Sequence, residues 1–237
     1  MQISPSIMDG HYELDGVNYG FSKFTMIWFK ELGIDPTVIF DFGCHDGGDS
    51  IRFKREFPNC NVYAFEPDPD CFSQCKDLLT KHNVVLNNAA ISDQVGTKAF
   101  YPSKDNKYDN GTRSAQGSFY KHSTWYREFF TFVNQSQQSI DVPVTTIQQF
   151  CKENNISHID LLHVDVEGAE QEVIVGLGHL RPKLLFLETG YSGGDNAVGF
   201  DGGTYNPNLF KLLEALDYVL LGDYISDRLY IHKSSIK

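Results

Sequence analysis

No window of this chain approaches the roughly 18 consecutive apolar residues of a membrane-crossing helix, and no basic stretch followed by an apolar core opens it. Neither a spanning segment nor a secretory leader is expected, and the default setting is cytoplasmic. Cysteine is sparse: Cys44, Cys60, Cys71, Cys75 and Cys151 form no C-x-x-C pair. Cys71 and Cys75 stand one helical turn apart, which suits packing better than metal binding. No His/Cys grouping has zinc-ligand spacing, the nearest pair being His158 and His163. Basic residues are in deficit, 20 Lys and Arg against 31 Asp and Glu, for a formal net charge of −11. Nucleic acids and anionic membranes are bound by neutralising phosphate with Lys and Arg, so neither is an expected partner. The G-x-G-x-x-G fingerprint of dinucleotide folds is missing as well.

What is present suits one sizeable α/β domain, or at a stretch two small ones: 237 residues, 41% of them hydrophobic and 14% aromatic. Residues 1–36 read as an N-terminal helical extension, because Phe21, Phe24, Trp28 and Leu32 recur at helical spacing. From residue 37 to 237 strands and helices alternate. Strands are expected over 38–42, 62–66, 84–88, 160–165 and 183–188, with a closing pair at 218–221 and 229–231. Asp68 before Pro69 predicts a capped helix start, and Thr146-Ile147-Gln148-Gln149 has capping-box spacing for another. Repeated β-α units imply a mainly parallel sheet with helices on both faces.

Two segments interrupt this rhythm. Residues 97–140 hold Tyr101, Tyr108, Phe119, Tyr120, Trp125, Tyr126, Phe129, Phe130 and Phe132 among polar residues, and 190–206 are rich in glycine. Both lie near the carboxyl ends of strands, where such sheets bind substrates. The aromatics suit stacking on a sugar ring or an aglycone, and they suit a homodimer contact equally.

Two strand ends carry the chemistry. Asp41-Phe42-Gly43-Cys44-His45-Asp46-Gly47 has the D-x-G-x-x-x-G form of a strand-to-helix nucleotide loop, and Ile159 to Glu170 ends an apolar run in Asp165, Glu167 and Gly168. Charge separates the ligand classes. NAD would bring a diphosphate against Asp41 and Asp46, whereas S-adenosylmethionine brings a net positive ammonium, carboxylate and sulfonium. Glu66, 25 residues after Asp41, can accept ribose hydroxyls. Asn88 and Ala89 follow the third strand, where a small residue and an amide admit adenine or simply form a turn.

These blocks, with Val62-Tyr63-Ala64-Phe65-Glu66-Pro67, Asn88-Ala89-Ala90-Ile91-Ser92-Asp93 and Val142-Pro143-Val144-Thr145-Thr146-Ile147, resemble the FkbM-type methyltransferases across roughly residues 36–190. The resemblance implies a class I, Rossmann-like methyltransferase: α/β, with a seven-stranded, mostly parallel sheet and an antiparallel last strand. It implies S-adenosylmethionine-dependent methylation of a hydroxyl on a small molecule or glycan. By position it places Asp41, Gly43, Cys44, His45 and Gly47 in the cofactor loop, Glu66 and Pro67 at the ribose, Asn88 and Ala89 near adenine, and Asp165 beside the methyl. The family often has lysine where this chain has His163.

A hydroxyl acceptor must lose its proton, so a base is required. The candidates are Asp165, His163 and Glu188. For His163 a histidine bonded within the sheet is an equal reading. A metal-assisted variant needs Asp165 and Glu188 to meet at a Mg²⁺ ion; with two ligands visible, the metal-free route is expected. The rival from another class is a methyltransferase-like binding module without catalysis.

Overall fold

The computed structural model describes residues 11–14, 17–21, 27–105, 116–189, 199–224 and 226–236. At its centre lie seven strands: β1 (Val38–Phe42), β2 (Asn61–Phe65), β3 (Val85–Asn87), β4 (Leu161–Val164), β5 (Leu184–Glu188), β6 (Tyr218–Tyr224) and β7 (Asp227–His232). Their order across the sheet is β3-β2-β1-β4-β5-β7-β6. All pairings from β3 to β5 are parallel, and β7 runs antiparallel to both its neighbours. This is the Rossmann-like α/β sheet expected, with the order of strands across the sheet reversing between β1 and β4. That reversal is where an open sheet forms a crevice.

Both faces of the sheet are covered, which explains why its strands read as continuous apolar runs. Ile39, Leu161, Leu184 and Phe186 pack on one face with Ile51 and Phe53 of α1 (Gly48–Glu56) and Cys75 and Leu79 of α2 (Pro69–Lys81). Phe40, Leu162, Val164 and Leu185 pack on the other, against α3 (Ile147–Glu153), α4 (Glu170–Val175) and α5 (Asn206–Ala215). Fully buried side chains such as Phe40, Phe53 and Phe186 each contribute roughly 1.5–3 kcal/mol through the hydrophobic effect. Asp68 caps α2, its carboxylate accepting the Asp70 N–H, and Thr146 caps α3 through the Gln149 N–H.

The N-terminal reading is corrected in part. His11–Leu14 and Val17–Phe21 form an antiparallel pair, so Phe21 ends a strand, not a helix turn. Among the described residues of this segment, Ile27–Leu32 is helical. There Phe29 is buried and Leu32 packs on the first core. Phe24 lies outside the described residues.

The described residues of the aromatic insertion hold several short strands. Gly96–Phe100 and Ala90–Ile91 flank Ile140–Thr145 in a three-stranded sheet, Ser103–Asp105 pairs with Val133–Gln135, and Lys121–His122 pairs with Phe200–Asp201. A short helix, Thr124–Phe129, is capped by Ser123. Tyr108 and Gly190, Gly193 and Gly194 of the glycine-rich segment lie outside the described residues.

Candidate active site

A cavity, open to solvent, lies at the carboxyl ends of β1, β2 and β4. Phe42, Gly43 and His45 line it from the first junction, Phe65, Glu66 and Pro67 from the second. Ala89, Ala90 and Ile91 contribute after β3, and Asp165, Val166 and Glu167 after β4. Phe100, Gly117 and Phe119 of the insertion complete the wall. That wall is held down by Glu172 of α4, which accepts hydrogen bonds from Ser92, Lys98 and Tyr120. Burial alone would raise the Glu172 pKa, but these donors lower it.

The loop after β1 takes its shape from close backbone contact. Gly43 has φ +77°, and a Cβ there would lie 1.8 Å from the Asp165 carbonyl oxygen. The Gly43 and Cys44 N–H groups both donate to the Phe65 carbonyl at 3.1 Å, and the Asp165 N–H donates to Phe42 at 3.0 Å. All three acid-bearing junctions are thereby tied together. Gly47, φ +81°, is the left-handed entry to α1 and packs on Leu79. Two non-glycine residues also hold left-handed backbone at the cavity, His45 (φ 47°) and Glu167 (φ 53°). Such strain often accompanies functional sites.

Glu66 is fixed before any ligand arrives. One carboxylate oxygen accepts the His45 N–H at 2.9 Å and the other the Asp68 N–H at 2.8 Å. Burial pushes its pKa well above the ordinary value, and those N–H groups offset only part of the rise. Each oxygen keeps capacity for another donor, which suits a vicinal diol.

Asp41 and His163 lie opposite each other in the β1–β4 register, buried under the loop. His163 Nδ1 is 2.8 Å from one Asp41 oxygen, and Ser50 donates to the other. The imidazole stacks on Phe186, 5.6 Å between centroids. Burial would lower the His163 pKa, but the hydrogen bond and charge of Asp41, with Asp49 and Asp165, raise it to about 9. The Asp41 carboxylate therefore favours the protonated ring. A proton it gains on folding stabilises the fold fully below its unfolded pKa of about 6.5. That stabilisation is lost as pH rises through about 9. Urea unfolding between pH 7 and 9.5 should show stability falling by up to ~3 kcal/mol. The double variant Asp41→Asn/His163→Gln should flatten that slope, and an equal slope in both proteins would exclude the pair as its source.

A second cavity, open to solvent, adjoins the first and shares Glu167 with it. Trp125, Tyr126 and Phe200 are its aromatic lining, and Glu170, Glu188 and Thr189 line it as well. Carboxylate oxygens of Asp165, Glu167 and Glu188 lie within 4.8 Å of one another. Asp165 lines the first cavity, Glu188 the second and Glu167 both, so the three acids mark the junction. Glu170, at the start of α4, is raised to about 7 by burial, against the Gly168 N–H that its carboxylate accepts.

A family model described as the methyltransferase FkbM domain matches residues 41–220. The chain belongs to the FkbM methyltransferase family. It is similar to the 2-O-methyltransferase NoeI of Sinorhizobium fredii, 33% identical over 159 residues, which are 67% of this chain and 64% of that protein. It is also similar to the 31-O-demethyl-FK506 methyltransferase FkbM of Streptomyces tacrolimicus, 24% identical over 162 residues and 59% of each chain. The chain thus spans under two thirds of the length of these curated relatives. Among solved structures, a methyltransferase FkbM of Methylobacillus flagellatus matches with TM-score 0.45 and 12% identity, over 83% of this chain and 44% of that one. Among the described residues no helix is long and apolar enough to cross a membrane.

In this FkbM-family chain the expected cofactor residues divide into two groups. Gly43, His45, Glu66, Pro67, Ala89 and Asp165 line the first cavity. Asp41, Cys44, Gly47 and Asn88 are not among its lining residues. Asp41 pairs with His163, Cys44 is buried beside Cys75, and Gly47 packs on Leu79. Asn88 instead donates to the Glu66 carbonyl at 2.8 Å and braces that turn. Of the candidate bases, Asp165 and Glu188 meet at the junction. His163 is not among the lining residues of either cavity and is paired with Asp41 beneath the loop. Phe100 and Phe200 are among the lining residues missed from sequence. Phe200 sits in a glycine-rich stretch that carries no periodic pattern, and Phe100 ends a strand whose partner contains Pro143.

Proposed function

We propose that the chain is an S-adenosylmethionine-dependent O-methyltransferase acting on a hydroxyl of a sugar, glycan or secondary metabolite. The observation that carries this reading is the meeting of two cavities at Asp165, Glu167 and Glu188. Chemically the first cavity fits the cofactor: Glu66 for the ribose diol, Ala89 and Ala90 with Phe100 and Phe119 for adenine, Asp165 for the cationic end. When bound, S-adenosylmethionine supplies an electrophilic methyl group. The residues around it do the rest. Gly43 and the Asp165 main chain set the depth of the site, and the two cavities align acceptor with donor, which accounts for much of the acceleration in a displacement. An acceptor hydroxyl placed at the junction would pass its proton to the Asp165 or Glu188 carboxylate as it took the methyl group. The names of the NoeI and Streptomyces relatives both specify oxygen methylation for those proteins. Transfer of labelled methyl to a panel of glycan and small-molecule acceptors tests the reading, and transfer to none of them counts against it.

One observation favours a second reading. Glu167 adds a third carboxylate to Asp165 and Glu188, a set able to hold a divalent cation that polarises the acceptor oxygen. On the metal-free route EDTA should leave the rate within about twofold. A loss of more than ~10-fold, restored by Mg²⁺, would favour the cation.

A further inference from the structure

We propose that Lys98 and Glu172 form a positioning pair that holds Phe119 in place as part of the adenine wall, so that an ion pair outside the cavity sets affinity for the cofactor. The inference rests on the placement of adenine against Phe100 and Phe119, and goes beyond it to the residues that keep those rings where they are. Phe119 lines the first cavity yet is only half-buried, so it lacks the all-round packing of a core ring. Its ring meets Phe100 edge-on, 6.3 Å between centroids, and carries the Lys98 ammonium 4.4 Å from its centroid. The same ammonium is 5.9 Å from the Tyr120 centroid, so Phe119 is the ring it engages more closely. A lysine stem is flexible, and its cation stays over one ring when something anchors it. Glu172 is the anchor. Its carboxylate pairs with Lys98 and also accepts the Ser92 hydroxyl at 2.7 Å and the Tyr120 hydroxyl. Lys98 and Glu172 are 24% and 17% exposed, which limits the solvent screening of the pair. Glu172 belongs to α4, the helix after the Asp165 junction, whereas Lys98 stands on the strand Gly96–Phe100. Lys98 is not among the lining residues, so its influence on the cavity passes through Phe119.

The test is titration calorimetry of the whole chain with S-adenosylmethionine and with 5′-methylthioadenosine, which keeps adenine and ribose but lacks the amino-acid end. Lys98→Met keeps the stem and leaves Glu172 its Ser92 and Tyr120 donors, so the melting temperature should fall by no more than about 4 °C. Affinity for both ligands should fall by the same factor, about tenfold. Lys98→Arg returns a cation to the ring and should bind both within about threefold of wild type. Tyr120→Phe removes one donor to Glu172 and leaves the cation in place, so it should also stay within about threefold. In a Phe119→Leu background Lys98→Met should cost less than about twofold further, because the ring it acts through is gone. That last comparison holds even if the single variant melts lower than expected, since a general loosening would persist without the ring. Unchanged affinity in Lys98→Met, a loss confined to S-adenosylmethionine, no recovery in Lys98→Arg, an equal loss in Tyr120→Phe, or a full loss in the Phe119→Leu background overturns the assignment. Any of these with a wild-type chain that binds the cofactor sinks the pair alone. A wild-type chain that binds neither ligand sinks the cofactor reading beneath it.

Discussion

Asp165→Asn is expected to lower kcat by about 10²–10⁴-fold, the usual contribution of a positioned acid–base group, or roughly 3–5 kcal/mol of transition-state stabilisation. The substitution is informative because two scaffold contacts of residue 165 are made by its main chain. Its N–H donates to Phe42, and its carbonyl sits against Gly43. Asparagine keeps both contacts and the side-chain size while removing the proton acceptor. The melting temperature should therefore move by no more than about 2 °C. Glu188→Gln should cost less if Asp165 is the principal base, and the two losses should combine less than additively, since the acids share one junction. Turnover within threefold of wild type in Asp165→Asn would remove Asp165 from proton transfer.

Gly43→Ala should act through the fold and the site together. The new Cβ would come 1.8 Å from a main-chain oxygen. No side-chain rotation relieves such a clash, so β1 and β4 must separate at their carboxyl ends. A left-handed φ of 77° adds its own cost for alanine. About 3–4 kcal/mol of destabilisation is expected, lowering the melting temperature by roughly 6–16 °C for a chain of this size. Cofactor affinity should drop by 100-fold or more, because Glu66, Gly43 and Asp165 are positioned by the same backbone bonds. A variant with native melting temperature and native affinity would mean that the loop is looser than its geometry states.

Much of the scaffold was legible because its determinants are local. Val38–Phe42 and Leu184–Glu188 are buried on both faces and read as apolar runs. The Asp68-Pro69 and Thr146 starts follow directly from cap chemistry. The hairpin His11–Phe21 was hidden by a coincidental helical spacing of Phe21, Phe24, Trp28 and Leu32, although Asp15-Gly16 between its strands is a turn-favouring dipeptide. The site was legible at Glu66, Gly43 and Asp165, each at a strand end marked by a composition change. It was not legible at Asp41, because pairing with His163 depends on β1 and β4 being neighbours in register. Glu167 was visible at its strand end, but its place in the lining of both cavities was not. Strand alternation ends at Val164, and a left-handed residue then re-aims the chain in a way no periodicity encodes. Trp125 and Tyr126 were visible as aromatics, but their shared wall with Phe200 forms only when Lys121–His122 pairs with Phe200–Asp201.

The central claim is that one cavity between the tips of β1, β2 and β4 holds S-adenosylmethionine with Glu66 on its ribose. Titration calorimetry of the cofactor into the wild-type chain and into Glu66→Ala tests it most directly, with NAD as the control ligand. The account predicts one S-adenosylmethionine per wild-type chain, no heat from NAD, and an affinity about 30–150-fold weaker in Glu66→Ala, as expected for losing hydrogen bonds to a buried acid. Equal affinity in the two proteins, or binding of NAD in place of S-adenosylmethionine, would contradict it.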